Sequence, residues 1–129
     1  DQFSTFKVDK LSKSKRNVLR GLHGDISNDK LIYCLYGKIY LVVVNYDKNS
    51  PQYLQKIGIE MSGDKPFAVF VPKNFLNGPY SDSYVSPGKQ FSVRWDDEDL
   101  DITWPLLEAE PILSDRDKNS KTLKENIIL

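Results

Sequence analysis

Short runs of β-branched and aromatic residues alternate with turn-forming residues along most of this chain. The runs that predict strands are Val18–His23, Lys30–Tyr36, Lys38–Tyr46, Tyr53–Met61, Phe67–Val71, Gln90–Trp95 and Leu100–Trp104. Glycine, proline, asparagine and aspartate residues between the runs mark the turns. Short strands at regular spacing are typical of a β-sandwich or a β-barrel, so the pattern predicts an all-β fold.

The run Ile39–Val44 carries apolar side chains on both faces of the strand that it predicts. Successive side chains of a strand point to opposite faces, and a strand with one face in water alternates apolar with polar residues. We therefore expect the second face of this strand to be covered by a second sheet or by another subunit.

Two further segments are predicted from their turn and charge patterns. Residues Val71–Tyr80 are expected to form a loop that leaves a strand, because Asn77-Gly78 is a strong turn dipeptide. The chain is charged from Ser114 onward, and Asp115–Glu125 is predicted to be one exposed helix. There is no internal repeat, and the length of 129 residues predicts a single domain over 1–129.

The charge balance narrows the classes of partner. The chain carries 18 basic and 18 acidic residues, so it lacks the basic excess of proteins that bind nucleic acid or anionic membranes. An anionic ligand would have to be held by a few local cations. No apolar run is long enough to span a bilayer. The lone Cys34 is interpreted as a buried thiol, which suits a protein of the reducing cytoplasm.

His23 is the only histidine of the chain. Imidazole is the one side chain whose unperturbed pKa lies near physiological pH, so His23 can act as an acid or a base. A lone histidine does not build a multi-histidine metal cage, so no such metal site is expected. On the residues alone two interpretations stay open, a structural histidine at a sheet edge and a catalytic base.

Candidate partners of His23 lie close by and near the C-terminal end. Lys30 opens the next predicted strand, and Arg20 lies three residues upstream of His23. A histidine base, a cationic stabiliser and an anion clamp together suit proton abstraction. Asp115 and Asp117 are both candidates for a carboxylate that orients the imidazole, and the residues leave open which of them does so.

One motif and several shorter matches resemble a known family. The motif Ser12-x-Ser14-x-x-Asn17-Val18-Leu19-Arg20-Gly21-Leu22-His23 resembles Ser-x-Ser-x-x-Gly-Val-Leu-Arg-Gly-Leu-His of the dTDP-4-dehydrorhamnose 3,5-epimerase family. Further matches follow in the family's order: Lys30-Leu31, Tyr36-Gly37-Lys38-Ile39, Asp47-x-x-Ser50-Pro51, Arg94-Trp95-Asp96-Asp97, Ile102-x-Trp104-Pro105 and Leu113-Ser114-x-Arg116-Asp117. The ordered set carries the resemblance, since no single match is specific.

The resemblance implies a fold and an activity. Members are metal-free cupins, with an all-β double-stranded β-helix (jelly-roll) that dimerises, and we expect a short C-terminal helical segment here. They act on nucleotide-linked 4-keto-6-deoxy sugars in the synthesis of cell-surface polysaccharide precursors, and the resemblance implies that no cofactor is expected. A base removes a proton from C3 or C5 beside the 4-ketone, an enolate forms, and an acid returns a proton to the opposite face.

The same resemblance implies roles for residues of this chain. His23 matches the base, Asp117 the carboxylate that orients it, Lys30 the lysine beside the keto oxygen, and Arg20 the arginine that holds the diphosphate. A planar guanidinium is well suited to bind a diphosphate through paired hydrogen bonds.

The acid and the remaining substrate contacts are also implied by the resemblance. Tyr80 is the better match to the catalytic acid, because it precedes Tyr84-Val85-Ser86-Pro87 at about the family's distance, and Tyr84 is the second candidate. Ser12, Asn77 and Tyr84 are expected to bind the substrate together with the arginine.

The chain departs from the commonest members at several positions. Gly24-Asp25 follows His23 where Tyr-Gln is usual, Asn77 replaces the family's second histidine, and Val8 replaces a glutamine. These departures make the chain more similar to relatives that act on other nucleotide sugars, including GDP-linked heptoses. The stretch between Gly78 and Tyr80 is shorter than the hairpin found in the family, so we expect that hairpin, like an N-terminal arm, to be missing from this sequence.

Two other functions compete with epimerisation. A 3,4-ketoisomerase is a related cupin, but such enzymes usually carry two closely spaced histidines and this chain has one. A non-catalytic cupin that binds a sugar nucleotide would explain the replaced histidine, whereas binding alone does not need a base and its orienting carboxylate.

Overall fold

A computed structural model describes residue 6 and residues 8–78, 90–106 and 110–127. Within these residues the chain forms seven strands and two short helices. The strands are β1 (His23–Asp25), β2 (Lys30–Tyr33), β3 (Lys38–Asn45), β4 (Lys56–Ser62), β5 (Ala68–Val71), β6 (Phe75–Gly78) and β7 (Gln90–Ser92). The helices are α1 (Asp115–Lys118) and α2 (Leu123–Ile127).

The strands form two antiparallel sheets. One sheet has five strands in the order β4-β3-β6-β1-β7, and the other pairs β2 with β5. Neighbours in the larger sheet are mostly distant in sequence, as in Greek-key and jelly-roll folds, in which the chain crosses between sheets. The predicted all-β fold is therefore confirmed.

The central strand β3 is covered on both faces by the chain itself. Leu41 and Val43 belong to an apolar cluster with Ile32 of β2 and Val71 of β5, which lies between the two sheets. The alternate residues of β3 face a second cluster, whose buried members are Leu22, Val42, Val44, Tyr46, Leu76, Val93, Leu100 and Leu123. The predicted second sheet thus covers one face, and residues of loops and of α2 cover the other.

The structure corrects several predicted strands, and it shortens Lys30–Tyr36 to Lys30–Tyr33 and Gln90–Trp95 to Gln90–Ser92. The run Val18–His23 is not a strand, since β1 begins only at His23 and Val18 forms a single bridge to Ile112. The backbone bends before β1 because Asn17 and Gly21 have positive φ angles of 69° and 124°. Residues Leu100–Trp104 form no strand, although Leu100 is buried in the core. The run that begins at Tyr53 pairs only from Lys56 onward.

Strand β6 replaces the loop predicted around Asn77-Gly78. Asn77 pairs with His23 on one side and with Val43 on the other, so this dipeptide lies in the middle of the larger sheet. Hydrogen bonding to both neighbours outweighs the local turn preference, which is a weaker determinant than tertiary pairing.

The predicted C-terminal helix is two helices. Asn119 ends α1, and its side chain donates to the Asp115 carbonyl oxygen. Thr122 and Glu125 then form a capping box at the start of α2: the Thr122 amide donates to the Glu125 carboxylate, and the Glu125 amide donates to the Thr122 hydroxyl. The capping box starts a new helix, and its sequence signature is Thr-x-x-Glu.

Two smaller expectations can be compared with the structure. Cys34 is buried, as predicted. Among the residues that the structure describes, no helix is long and apolar enough to cross a bilayer.

Candidate active site

The register of β6, β1 and β7 places three polar side chains in one row. His23 of β1 pairs with Asn77 of β6 and with Ser92 of β7, and directly opposed residues of antiparallel strands share a face. Asn77 also pairs with Val43, which belongs to the apolar cluster between the two sheets. The row therefore lies on the inner face of the larger sheet.

Lys30 points into the same space from the smaller sheet. Lys30 and Ile32 are buried in β2, whereas Leu31 and Tyr33 between and after them are exposed. Ile32 belongs to the same apolar cluster as Val43, so the buried face of β2 is its inner face. Lys30 is only 6 % exposed, and its Nζ has no hydrogen-bond partner within the described part of the chain.

The surroundings of Lys30 link it to the elements that carry His23 and Asp117. Burial lowers the pKa of Lys30 to about 8; the nearby carboxylate of Asp25 opposes this shift and the guanidinium of Arg116 adds to it. Asp25 belongs to β1, as His23 does, and Arg116 precedes Asp117 in α1. The ammonium group therefore lies within electrostatic range of both elements.

His23 and Asp117 form a buried pair across the fold. His23 Nε2 lies 2.9 Å from Asp117 Oδ1, and the two residues are 5 % and 4 % exposed. The Gly21 amide donates to the other carboxylate oxygen, Oδ2, at 3.1 Å. The Asp117 amide donates to the hydroxyl of Ser114, which caps the N-terminus of α1. Asp117 is thus held at its side chain and at its backbone.

These contacts keep Asp117 ionised. Burial alone would raise the pKa of Asp117, but hydrogen bonds from His23, from the Gly21 amide and from Ser114, together with the charge of a protonated His23, hold the pKa below its ordinary value. An ionised carboxylate can only accept a hydrogen bond, so the Nε2 that faces it carries the proton. In the neutral ring the lone pair therefore lies on Nδ1. This arrangement suits a general base.

Gly21 and Ser114 are site residues that the sequence interpretation missed. Gly21 has a φ of 124°, and a Cβ atom there would lie 2.8 Å from the Asn77 carbonyl oxygen. Glycine is the residue that tolerates this conformation and this close approach, and it lets the Gly21 amide reach Asp117. Ser114-x-x-Asp117 is an N-cap pattern that the sequence already contained.

Arg20 is oriented by its own segment. Its Nε donates to the Ser14 hydroxyl at 2.8 Å, and its Nη2 donates to the Lys13 carbonyl oxygen at 3.2 Å. Ser14 of the same motif thus contacts the arginine, and the expected binding of substrate by Ser12 stays a prediction. The structure brings together His23, Asp117, Asn77 and Lys30 of the predicted site.

Tyr80 and Tyr84, the predicted candidates for the acid, lie outside the described residues. Within the described ranges, no group of three or more histidine, cysteine, aspartate or glutamate residues could hold a metal ion.

Comparisons with known proteins agree with this fold. Residues 2–125 match the sequence model of the family described as dTDP-4-dehydrorhamnose 3,5-epimerase. The enzyme of that name from Salmonella typhimurium is 33 % identical over 138 residues, which cover 96 % of this chain and 75 % of the relative.

Solved structures extend the likeness to three dimensions. A dTDP-6-deoxy-D-glucose-3,5-epimerase from Legionella pneumophila, in complex with dTDP-4-keto-L-rhamnose, aligns with a TM-score of 0.82 at 32 % identity, over 93 % of this chain and 70 % of the other. A 3'-monoepimerase from Streptomyces bikiniensis, in complex with dTDP-quinovose, aligns with a TM-score of 0.77 at 30 % identity, over 90 % and 66 %. The chain has the cupin jelly-roll fold, as the resemblance predicts.

Proposed function

The chain belongs to the dTDP-4-dehydrorhamnose 3,5-epimerase family, and from this membership we propose that it is a cofactor-independent epimerase of a nucleotide-linked 4-keto sugar. The enzyme inverts C3, C5 or both, and its product supplies the synthesis of a cell-surface polysaccharide. The observation that carries the proposal is the buried His23–Asp117 pair on the same inner surface as the buried ammonium of Lys30.

His23 is the base in this proposal. The 4-ketone makes the protons at C3 and C5 acidic, and Nδ1 of His23 takes one of them. The electron pair of the broken C–H bond moves to the ketone oxygen and forms an enolate. Asp117 stabilises the imidazolium, since its carboxylate lies 2.9 Å from Nε2 and is itself fixed by the Gly21 amide.

Lys30 stabilises the enolate oxygen. Its Nζ is buried and has no partner among the described residues, so a ligand oxygen would satisfy it. Removing water around a cation strengthens its attraction for a developing negative charge. The lowered pKa leaves Lys30 mostly protonated at neutral pH, because the value of about 8 lies above 7.

Arg20 and a tyrosine complete the proposed machinery. Arg20, which Ser14 and Lys13 already orient, binds the diphosphate, and Ser12 lies in the same segment. The proton returns to the opposite face of the enolate from Tyr80, with Tyr84 as the second candidate. The ring then has the inverted configuration, and the base and acid have exchanged their protonation states.

The substrate class that we propose is a dTDP-linked 4-keto-6-deoxy sugar. The relatives from Legionella pneumophila and Streptomyces bikiniensis are seen with dTDP sugars at 32 % and 30 % identity, respectively. GDP-linked 4-keto heptoses are the second candidate, because Gly24-Asp25 and Asn77 depart from the commonest motif. We place the protein in the cytoplasm, where its lone cysteine, Cys34, stays reduced.

We also propose that two copies of the chain form a homodimer through the outward face of β2 and β5. Leu31 and Tyr33 are 44 % and 40 % exposed there, and Phe70 pairs with Leu31 and packs edge-to-face on Phe6. Contiguous exposed apolar surface of this kind marks interfaces. Analytical ultracentrifugation should find a dimer that Tyr33→Glu dissociates, while Ile57→Glu on β4 leaves it intact.

Deuterium incorporation tests the reaction itself. The protein is incubated in D2O with a dTDP-4-keto-6-deoxy sugar, and NMR reports exchange at C3 and C5 and identifies the product. We expect exchange and inversion in the wild type and neither with His23→Ala. Exchange in His23→Ala at the wild-type rate overturns the assignment of the base. A product with a 3-keto group indicates a ketoisomerase, and binding without exchange indicates a non-catalytic cupin.

A further inference from the structure

Two polar atoms flank His23 on the inner face of the larger sheet. They are Asn77 Oδ1 on β6 and Ser92 Oγ on β7, and both are buried without a hydrogen-bond partner among the residues that the structure describes. Asn77 is 0 % exposed. Buried polar groups are nearly always hydrogen-bonded, so unsatisfied atoms beside a catalytic base indicate that a ligand completes them.

The orientation of the Asn77 amide follows from its other contact. Asn77 Nδ2 donates to the His23 carbonyl oxygen at 3.2 Å, and a carbonyl oxygen can only accept. The Nδ2 end of the amide therefore faces the backbone of β1, and Oδ1 is the end left for a ligand. An amide oxygen accepts only, so its partner must be a donor such as a hydroxyl group.

Ser92 lies on the opposite side of His23 in an equally fixed position. It pairs directly with His23, and its carbonyl oxygen accepts a hydrogen bond from Asn126 Nδ2 at 3.0 Å. Directly opposed Cβ atoms of antiparallel strands lie about 4.5–5.5 Å apart. Asn77, His23 and Ser92 are thus a row across three strands, and a sugar ring presented to His23 would pass both flanking oxygens.

We propose that Asn77 Oδ1 and Ser92 Oγ bind the C2 and C3 hydroxyl groups of the sugar and so present C3, rather than C5, to His23. This inference rests on the proposed epimerase function and names its reacting carbon. In a 4-keto-6-deoxy sugar, C5 carries a methyl group and the ring oxygen, and neither can donate to Asn77. C3 carries a hydroxyl group and neighbours the hydroxyl group on C2, which supply the donors that the site lacks.

The test compares exchange at the two carbons in D2O, with a 4-keto-6-deoxy sugar nucleotide and with its 2-deoxy analogue. In the wild type, C3 should exchange faster than C5. Ser92→Ala and Asn77→Leu should each lower kcat/KM for C3 exchange by about tenfold, the loss of one hydrogen bond. With the 2-deoxy analogue, the penalty of the variant that contacts C2 should disappear, an outcome that a structural role would not produce.

Ser62→Ala is the matched control, because Ser62 lies on β4 and its hydroxyl accepts from the Lys65 amide. The Ser62→Ala variant should exchange the proton at C3 for deuterium at the wild-type rate. Faster exchange at C5 than at C3 in the wild type overturns the proposal. The proposal is also overturned if Ser92→Ala and Asn77→Leu lower kcat/KM equally for exchange at C3 and at C5. It is overturned as well if their penalties are the same with the 2-hydroxy and the 2-deoxy substrate.

Binding separates this inference from the function on which it rests. If no carbon exchanges, the epimerase proposal fails, and calorimetry with the same two sugar nucleotides still tests the row. Tighter binding of the 2-hydroxy sugar by about tenfold, lost in Ser92→Ala or Asn77→Leu, supports recognition of the hydroxyl groups. Equal affinity for both sugars overturns it.

Discussion

The two faces of the sheet formed around β6, β1 and β7 carry different kinds of side chain, although each residue on one face is the sequence neighbour of a residue on the other. On the outer face, Leu22, Leu76 and Val93 are each fully buried in one apolar cluster. On the inner face, the residues next to them, His23, Asn77 and Ser92, are polar. Asn77 and Ser92 each carry a buried atom that has no hydrogen-bond partner in the described part of the chain. The same stretch of backbone therefore presents an apolar, packed face on one side and a row of polar side chains on the other.

The backbone contacts explain how the two faces can differ so sharply. Leu22 and Val93 exchange both of their amide hydrogen bonds, at 3.0 and 2.8 Å, so the pairing continues just before β1 and just after β7. The packed outer face holds the strands in register, and register alone decides which side chains face inward. A rigid support of this kind allows the inner face to carry polar side chains that do not contribute to apolar packing.

The largest expected effect is on the inner face. His23→Asn and Asp117→Asn should each lower kcat by about 10²- to 10⁴-fold, because proton abstraction loses its base or the orientation of that base. Steady-state kinetics measures the loss, and thermal unfolding checks that the fold persists. Asp115→Asn is the matched control, since Asp115 is the exposed carboxylate of the same helix. An Asp115→Asn variant as inactive as Asp117→Asn would contradict the assignment.

Substitutions on the outer face should lower the stability of the protein and leave its activity nearly unchanged. Leu76→Ala removes a fully buried side chain from the apolar cluster and should lower the free energy of unfolding by about 2–5 kcal/mol. At temperatures well below the unfolding midpoint, kcat/KM of Leu76→Ala should stay within about tenfold of the wild type, because the substituted side chain lies on the face of the sheet opposite to His23. Urea denaturation measures the stability. The exposed Leu35→Ala should change it by less than about 0.5 kcal/mol.

The lowered pKa of Lys30, on the inner face, predicts an alkaline limit to kcat/KM. Because its pKa is lowered to about 8, the ammonium group is lost as the pH rises through that value, and kcat/KM should fall above it. Stability should change with the opposite sign: between about 8 and the ordinary 10.5 the unfolded chain binds more protons, so the folded state gains stability as the pH rises.

Lys30→Met should be slow at every pH and should lack the alkaline fall of kcat/KM. A pH series of the wild type, of Lys30→Met and of Lys38→Met measures it, and Lys38 is an exposed residue at the start of β3. An alkaline fall that survives in Lys30→Met would assign it to another group.

The smallest effect is expected at Asp25, at the end of β1. Burial alone would raise the pKa of Asp25, but hydrogen bonds from Asn28 and Ser27 hold it below the ordinary 3.8. A lowered carboxyl pKa contributes stability that is present above the ordinary value and is lost as the pH falls through the folded value. Asp25→Asn should therefore be less stable than the wild type by about 1 kcal/mol at neutral pH. Urea midpoints should converge at acid pH, and a constant gap would refute this.

Much of the fold was predictable because it depends on local patterns. The apolar run of β3, which has apolar residues on both faces, appears directly in the sequence, and apolar clusters cover both faces in the structure. The failures share one cause. Val18–His23 has a strand composition, but the Gly21 amide is used by Asp117, and Asn77-Gly78 has a turn composition, but two neighbouring strands pair with it. In both cases a distant partner outweighs the local preference.

The identities of the chemical groups were contained in the sequence, because they belong to single residues and to motif order. One histidine, a lysine at the start of the next strand and two aspartates after Ser114 could all be read directly, and the resemblance to the family implied a base, a cation and an orienting carboxylate. The residues alone left Asp115 and Asp117 open and the resemblance implied Asp117; the tertiary structure brings Asp117, which is 94 residues from His23, to 2.9 Å from the imidazole. Only the tertiary structure showed that Ser92 lies beside it. The reason is physical: contacts across a sheet depend on strand register, and register is set by the packing of the whole sheet rather than by any one segment.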